Sequence, residues 1–167
     1  SKKESDYLLY EEPMGTVSGV QTQIPVLLSE YQFQSKEDVD AYLELMKTTP
    51  DYFNSLIAFE QEKAQKGLFM ASYTADTVIE QCQAFIDMGD SNYLISTFVD
   101  RIQKLTDLSE SEKSDYIQKN AYMLQTYVLP AYQQLIKTVV ELKDSGKNEE
   151  GLCYLPNGKE YYELTVQ

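Results

Sequence analysis

The chain has 167 residues, enough for one ordinary domain that buries roughly 70% of the surface its unfolded form exposes. Its 14 Lys and Arg against 27 Asp and Glu give a net charge of −13, and no basic patch interrupts that balance. Phosphate backbones and anionic lipid surfaces would be repelled, which speaks against nucleic-acid binding.

No apolar run approaches the roughly 18 residues a membrane helix requires, and no basic region followed by a hydrophobic stretch marks a signal peptide. A soluble chain with no membrane-spanning segment is expected. The first residue is Ser1 rather than Met, so a leader or preceding domain is expected in the natural product.

Residues 1–34 show no sustained 3.6-residue period and contain turn formers around Met14-Gly15, Gly19 and Ile24-Pro25-Val26, so they read as an extended, irregular arm. From Ser35 the pattern turns helical. Ser35-Lys36-Glu37-Asp38 resembles a capping box with Asp in place of Glu, and Val39, Leu43 and Met46 follow, predicting a helix over about 36–48. Thr49-Pro50-Asp51 restarts the chain, with Phe53, Ile57, Glu60 and Ala64 marking a second helix that stops at Gly67. A third helix over about 75–88, capped by Ser72 or Thr74, carries Val78, Cys82, Phe85 and Ile86 on one face until Gly89 ends it. Leu94, Ile95, Phe98, Val99, Ile102 and Leu105 make the wide stripe of a fourth.

Ser109-Glu110-Ser111-Glu112 is a full capping box, and Ile117, Ala121, Leu124, Val128, Ala131, Leu135, Val139 and Leu142 then form a stripe that runs through Pro130. Proline removes one backbone donor and crowds the carbonyl of Thr126, so a kink or local widening is expected inside one helix spanning about 110–143. Residues 144–167 read as a polar loop, then a turn at Pro156-Asn157-Gly158, then the opening of a further helix. About two helical turns are too few to stand alone, so the chain is expected to be a fragment of a larger protein. The fold expected is all-α: an irregular multi-helix bundle over 35–143 with one long Pro-kinked helix, forming a single domain.

Histidine is absent, which excludes Ser-His-Asp, Cys-His and His-metal arrangements within this sequence. Cys82 and Cys153 stand alone, without a second pair to build a zinc site; Cys82 reads as a small buried hydrophobe, with a Cys82–Cys153 disulfide as the alternative. Acid pairs such as Asp38 with Asp40 and Glu149 with Glu150 read as solvated charge, and Asp87-Met88-Gly89-Asp90-Ser91-Asn92 as a helix stop followed by an N-cap. No metal ligand, catalytic residue or cofactor site is expected in this chain. The 14 tyrosines are the unusual statistic. Tyr42, Tyr52, Tyr116, Tyr127 and Tyr132 suit positions between core and surface. Tyr154, Tyr161 and Tyr162, beside Asn157 and Gly158, cluster where binding groups often sit, and these five residues are the candidate cleft-lining set.

Five segments together resemble a bacterial family, the domain of unknown function 885. They are the run Gly19 to Phe33 (GVQTQIPVLLSEYQF), Asp38 to Leu43 (DVDAYL), Phe59 to Met70 (FEQEKAQKGLFM), Val128 to Leu135 (VLPAYQQL) and Leu155 to Tyr162 (LPNGKEYY). The resemblance implies a mostly helical protein several times longer, often exported as a lipoprotein, whose later half carries a histidine-glutamate zinc-binding helix like that of gluzincin peptidases. None of that motif occurs here, so no catalytic or metal residue is carried over, and any zinc would sit in the remaining C-terminal part of the parent.

The leading expectation is therefore a non-catalytic helical segment of a zinc-metallopeptidase-like bacterial protein, forming scaffold and one wall of a substrate cleft. Its partners would be the remainder of its own polypeptide and a peptide substrate. The parent is expected to be extracytoplasmic, exported or lipid-anchored. An independent acidic, tyrosine-rich module that binds a protein or peptide is the rival. A carboxylate-pair enzyme of the glycosidase kind is a third reading, for which no facing pair can be located.

Overall fold

The computed structural model describes residues 9–143, and within them every regular element is helical. The order is α1 (Val20–Glu30), α2 (Lys36–Gln65), α3 (Ser72–Asp87), a 3₁₀ turn (Gly89–Ser91), α4 (Tyr93–Gln103), α5 (Glu110–Met123), a π-helical turn (Leu124–Val128) and α6 (Leu129–Lys143). The all-α irregular bundle expected from sequence is what forms. Whether Cys82 pairs with Cys153 falls outside the described residues, as does the loop and turn expected over 144–167.

The expected Pro-containing long helix is present. Backbone angles stay helical at Met123, Leu124 and Leu129, so α5, the π turn and α6 form one continuous rod. The amide of Leu129 bonds to Leu124 O, five residues back, instead of four. This widening sits directly before Pro130, whose ring would otherwise press on the Thr126 carbonyl. Ser109 caps the rod as predicted: its hydroxyl accepts from Glu112 N at 3.1 Å, while the Glu112 carboxylate accepts from Ser109 N at 2.9 Å. Removing the first of these bonds by Ser109→Ala is expected to lower stability by about 1 kcal/mol, read as a shift in urea midpoint with an unchanged slope.

Ser35 makes no side-chain cap bond, and α3 starts at Ser72 after Ala71, so neither of these predicted side-chain caps forms. Three larger expectations also need correction. Pro50 does not restart the chain; α2 runs unbroken for 30 residues through it. Val39, Met46, Phe53, Ile57, Glu60 and Ala64 are buried along one face on both sides of the proline, and that packing outweighs the roughly 3 kcal/mol a proline costs within a helix. Nor is the arm wholly irregular. Residues 9–19 do form successive turns, but Val20–Glu30 is helical with Pro25 inside. Pro25 has no amide for Gln21 O, and the Tyr132 hydroxyl fills the vacancy at 2.8 Å from the opposite side of the bundle. Finally, in α5 the inward positions are Lys113, Tyr116 and Asn120, with Ile117 and Ala121 only half-buried. Each polar residue has a partner that permits this: Lys113 Nζ donates to Gln103 O at 3.3 Å, Tyr116 OH to Asp40 at 2.7 Å, and Asn120 Nδ2 to Leu94 O at 3.0 Å.

The core lies between α2, α3 and the long rod. Tyr132, fully buried, meets Phe53 of α2 edge-on at 4.9 Å and Phe85 of α3 at 4.6 Å between ring centroids. A second aromatic group joins Phe33, Tyr42 and Phe98, with centroids 5.2–5.7 Å apart. Arg101 lies against the Phe33 and Tyr42 faces at 4.5 and 4.9 Å and donates to the carbonyls of Leu28 and Tyr31 at 3.1 and 2.6 Å. The C-terminal end of α1 is thereby tied to α4.

The predicted stop and cap around Asp87 to Asn92 is observed. Gly89 adopts φ 54°, a left-handed conformation that favours glycine, and Asn92 caps α4 by accepting from Leu94 N at 2.8 Å.

Candidate functional site

The helical repeat of α2 places Leu45, Thr48, Tyr52, Ser55 and Phe59 along one flank of its buried face. Val20, Ile24 and Leu27 form a similar row on α1, continued by Tyr31 just past its end. Because α1 is seated on α3 and α4 rather than pressed against α2, the two rows face an open seam. Two recesses follow it. One, of about 360 Å³, is lined by Ile24, Leu27, Leu28, Tyr31, Leu45, Thr48, Thr49 and Tyr52; the other, of about 400 Å³, by Glu11, Glu12, Pro13, Val20, Tyr52, Ser55, Leu56 and Phe59. Tyr52 belongs to both. Leu27, Leu45 and Tyr52 remain 59%, 46% and 49% exposed, so apolar surface is left uncovered along this seam.

Beneath its Glu11/Glu12 end lies a buried charged group. Glu60 and Lys63 of α2 are 1% and 3% exposed. Lys63 Nζ donates to Glu11 O at 2.5 Å and pairs with Glu12 at 3.1 Å, while Glu12 also accepts from Met14 N at 3.0 Å. Those bonds fix the segment before α1 onto α2. Neither Glu60 oxygen finds a hydrogen-bond partner. Burial, reinforced by the Glu12 carboxylate and only partly offset by Lys63, pushes Glu60 up to about 10. It is therefore a neutral acid near pH 7, able to donate a hydrogen bond but unsuited to act as a carboxylate base.

A polar recess of about 320 Å³ lies elsewhere, between α2 and α5, lined by Lys36, Asp40, Glu112, Asp115, Tyr116 and Lys119. Burial and the adjacent Asp40 carboxylate hold the Tyr116 phenol above its ordinary range, so it stays protonated and bonded to Asp40. Cys82 is buried as expected, and burial pushes its thiol up to about 12, the state of an unreactive core residue. Among the described residues no three of His, Cys, Asp or Glu converge as metal ligands, and no helix is long and apolar enough to cross a membrane.

The candidate residues Tyr154, Asn157, Gly158, Tyr161 and Tyr162 lie outside the described residues. Of the tyrosines expected to straddle core and surface, Tyr52 does so and Tyr127 is half-buried, whereas Tyr42, Tyr116 and Tyr132 are buried. Sequence reasoning missed the Glu12, Glu60 and Lys63 group. Its signal was available: Glu60 falls on the same stripe as Ile57 and Ala64, where an acid needs an explanation.

Comparison with solved structures finds this fold in the putative lipoprotein from Colwellia psychrerythraea, with a TM-score of 0.81 and 18% sequence identity. The match covers 92% of this chain and 26% of that one, so the chain spans about a quarter of the length of this neighbour. Comparison with curated proteins gives no match. The sequence itself matches, over residues 2–167, the family described as "Bacterial protein of unknown function (DUF885)". With nearly every residue inside that match, the chain belongs to the DUF885 family of bacterial proteins.

Proposed function

We propose that this chain is a non-catalytic helical segment of a longer, extracytoplasmic, zinc-metallopeptidase-like bacterial protein, serving as scaffold and as one wall of its substrate cleft. The observation that carries the scaffold role is the match of 92% of this chain to only 26% of a protein with the same fold. The open apolar seam between α1 and α2 supports it, since such a face suits packing against more polypeptide. The zinc and the acid–base groups would come from the remaining polypeptide, as the family resemblance implies. Extracytoplasmic location rests on that resemblance and on the neighbour's description as a lipoprotein.

The cleft wall is assigned to Tyr154, Asn157, Gly158, Tyr161 and Tyr162, because three tyrosines fall close in sequence to the Pro156-Asn157-Gly158 turn signal. In the longer protein, the double substitution Tyr161→Ala with Tyr162→Ala is expected to lower kcat/KM for peptide substrates roughly tenfold or more, the scale of losing one well-packed aromatic contact. Unchanged turnover in the folded double variant would remove the cleft assignment while leaving the scaffold role standing.

A further inference from the structure

We infer that the seam between α1 and α2 is the docking face for an amphipathic helix of the remaining polypeptide, whose apolar side fills the trough around Tyr52. This deepens the scaffold reading above and rests on it.

The geometry is that of a helix-in-groove site. On α2, Leu45, Tyr52 and Phe59 recur every seven residues, and on α1 Val20, Ile24 and Leu27 recur at intervals of four and three, with Tyr31 following just past the helix end. From Leu45 to Phe59 the α2 row extends for about 21 Å at 1.5 Å per residue, the length of a helix of about 14 residues. Two recesses of about 360 and 400 Å³ lie along it, with Tyr52 lining both. Most of the lining is apolar, and the charged members, Glu11 and Glu12, are confined to one end.

Two observations select the occupant. The related structure places 26% of its chain in the matched region and 74% outside it, so ample polypeptide exists to supply a covering helix. A second copy of this chain fits less well, because each copy carries a net charge of −13 and long-range repulsion opposes their pairing.

Hydroxyl-radical footprinting of this chain and of the longer protein tests the assignment without requiring activity. Tyr52, Leu27 and Leu45 report on the seam; Tyr73 and Tyr122, which are 70% and 58% exposed on α3 and α5, report on other faces. In the chain alone all five are expected to be oxidised readily. In the longer protein Tyr52, Leu27 and Leu45 are expected to be protected about fivefold or more, with Tyr73 and Tyr122 much less affected, as a buried packing surface requires. Equal oxidation of Tyr52 in the two proteins would overturn the inference, as would protection of Tyr73 and Tyr122 in its place. Protection of Tyr52 that rises with the concentration of the chain alone would assign the seam to a second copy, and so would also overturn it. An inactive longer protein that still protects Tyr52 would count against the peptidase reading only.

Discussion

Gly19→Ala is expected to destabilise the fold by about 3 kcal/mol or more, at the upper end of overpacking substitutions, because the added methyl has nowhere to go. Gly19 has an ordinary φ of −70°, so backbone strain is not the reason. A Cβ at this position would run into the carbonyl oxygen of Gly15, approach the Met14 carbonyl carbon to 2.8 Å and meet Gln21 Oε1 at 2.5 Å. The first two are backbone atoms that cannot swing aside.

They also belong to a turn held from several directions. Val20 N bonds to Pro13 O at 2.8 Å, and Gln21 Nε2 donates to Met14 O, Gly15 O and Gln81 Oε1 at 2.8–3.2 Å. Relieving the clash would pull α1 away from α3 and disturb the Tyr132 bond to Gln21 O. Urea unfolding gives the test: a midpoint within experimental error of the parent chain would show that the turn opens freely and that α1 is not held as described.

Glu60→Gln is expected to act in the opposite direction, stabilising the chain near neutral pH. In the folded chain Glu60 keeps its proton until about pH 10, whereas an unfolded glutamate releases it near pH 4.3. Between those values the unfolded state binds fewer protons, so stability contributed through this group falls as pH rises. Below pH 4.3 both states are protonated and the penalty vanishes. At pH 7 it amounts to about 3 to 4 kcal/mol, since each pH unit above the unfolded value costs about 1.4 kcal/mol. Glutamine is neutral throughout and has nearly the same shape. The difference in unfolding free energy between the Glu60→Gln variant and the parent chain should therefore be small at pH 4, grow through pH 7 and continue growing to pH 9. A pH-independent difference, or destabilisation at pH 7, would mean that Glu60 is ionised and paired in the fold.

Much of the bundle can be read in the sequence because the helices announce their ends. The Ser109-Glu112 box, Gly67, Gly89 and Asn92 act through local backbone bonds, and local rules locate them correctly. Prolines were harder, because their effect depends on what lies across the bundle. At Pro130 the unbroken apolar stripe correctly indicated one helix. The same logic holds at Pro50, where Met46 and Phe53 are seven residues apart and share a face, so the register across the proline outweighs the local Thr-Pro-Asp turn signal. At Pro25 the compensating group is the Tyr132 hydroxyl, 111 residues away from the carbonyl it satisfies, and no local pattern could have revealed it.

The site was less legible for a similar reason. An open seam results from α1 resting on α3 and α4, a tertiary fact, and no residue type in either row marks the face as uncovered. Glu60 was the readable exception, an acid set among Ile57 and Ala64. The buried Lys63 was disguised by its neighbours Glu62 and Lys66, which make the segment look like an exposed charged stretch. The polar inward row of α5, with Tyr116 and Asn120 in place of Ile117 and Ala121, likewise depends on partners in α2 and α4.

The most direct measurement is peptide hydrolysis by this chain and by the longer protein, each purified, compared with and without a zinc chelator. The scaffold reading predicts chelator-sensitive hydrolysis by the longer protein and none by residues 1–167 alone, which have no histidine to supply a metal ligand or general base. Chelator-sensitive hydrolysis by residues 1–167 alone would contradict the scaffold reading, and a folded, zinc-loaded longer protein that cleaves no peptide would contradict the peptidase reading.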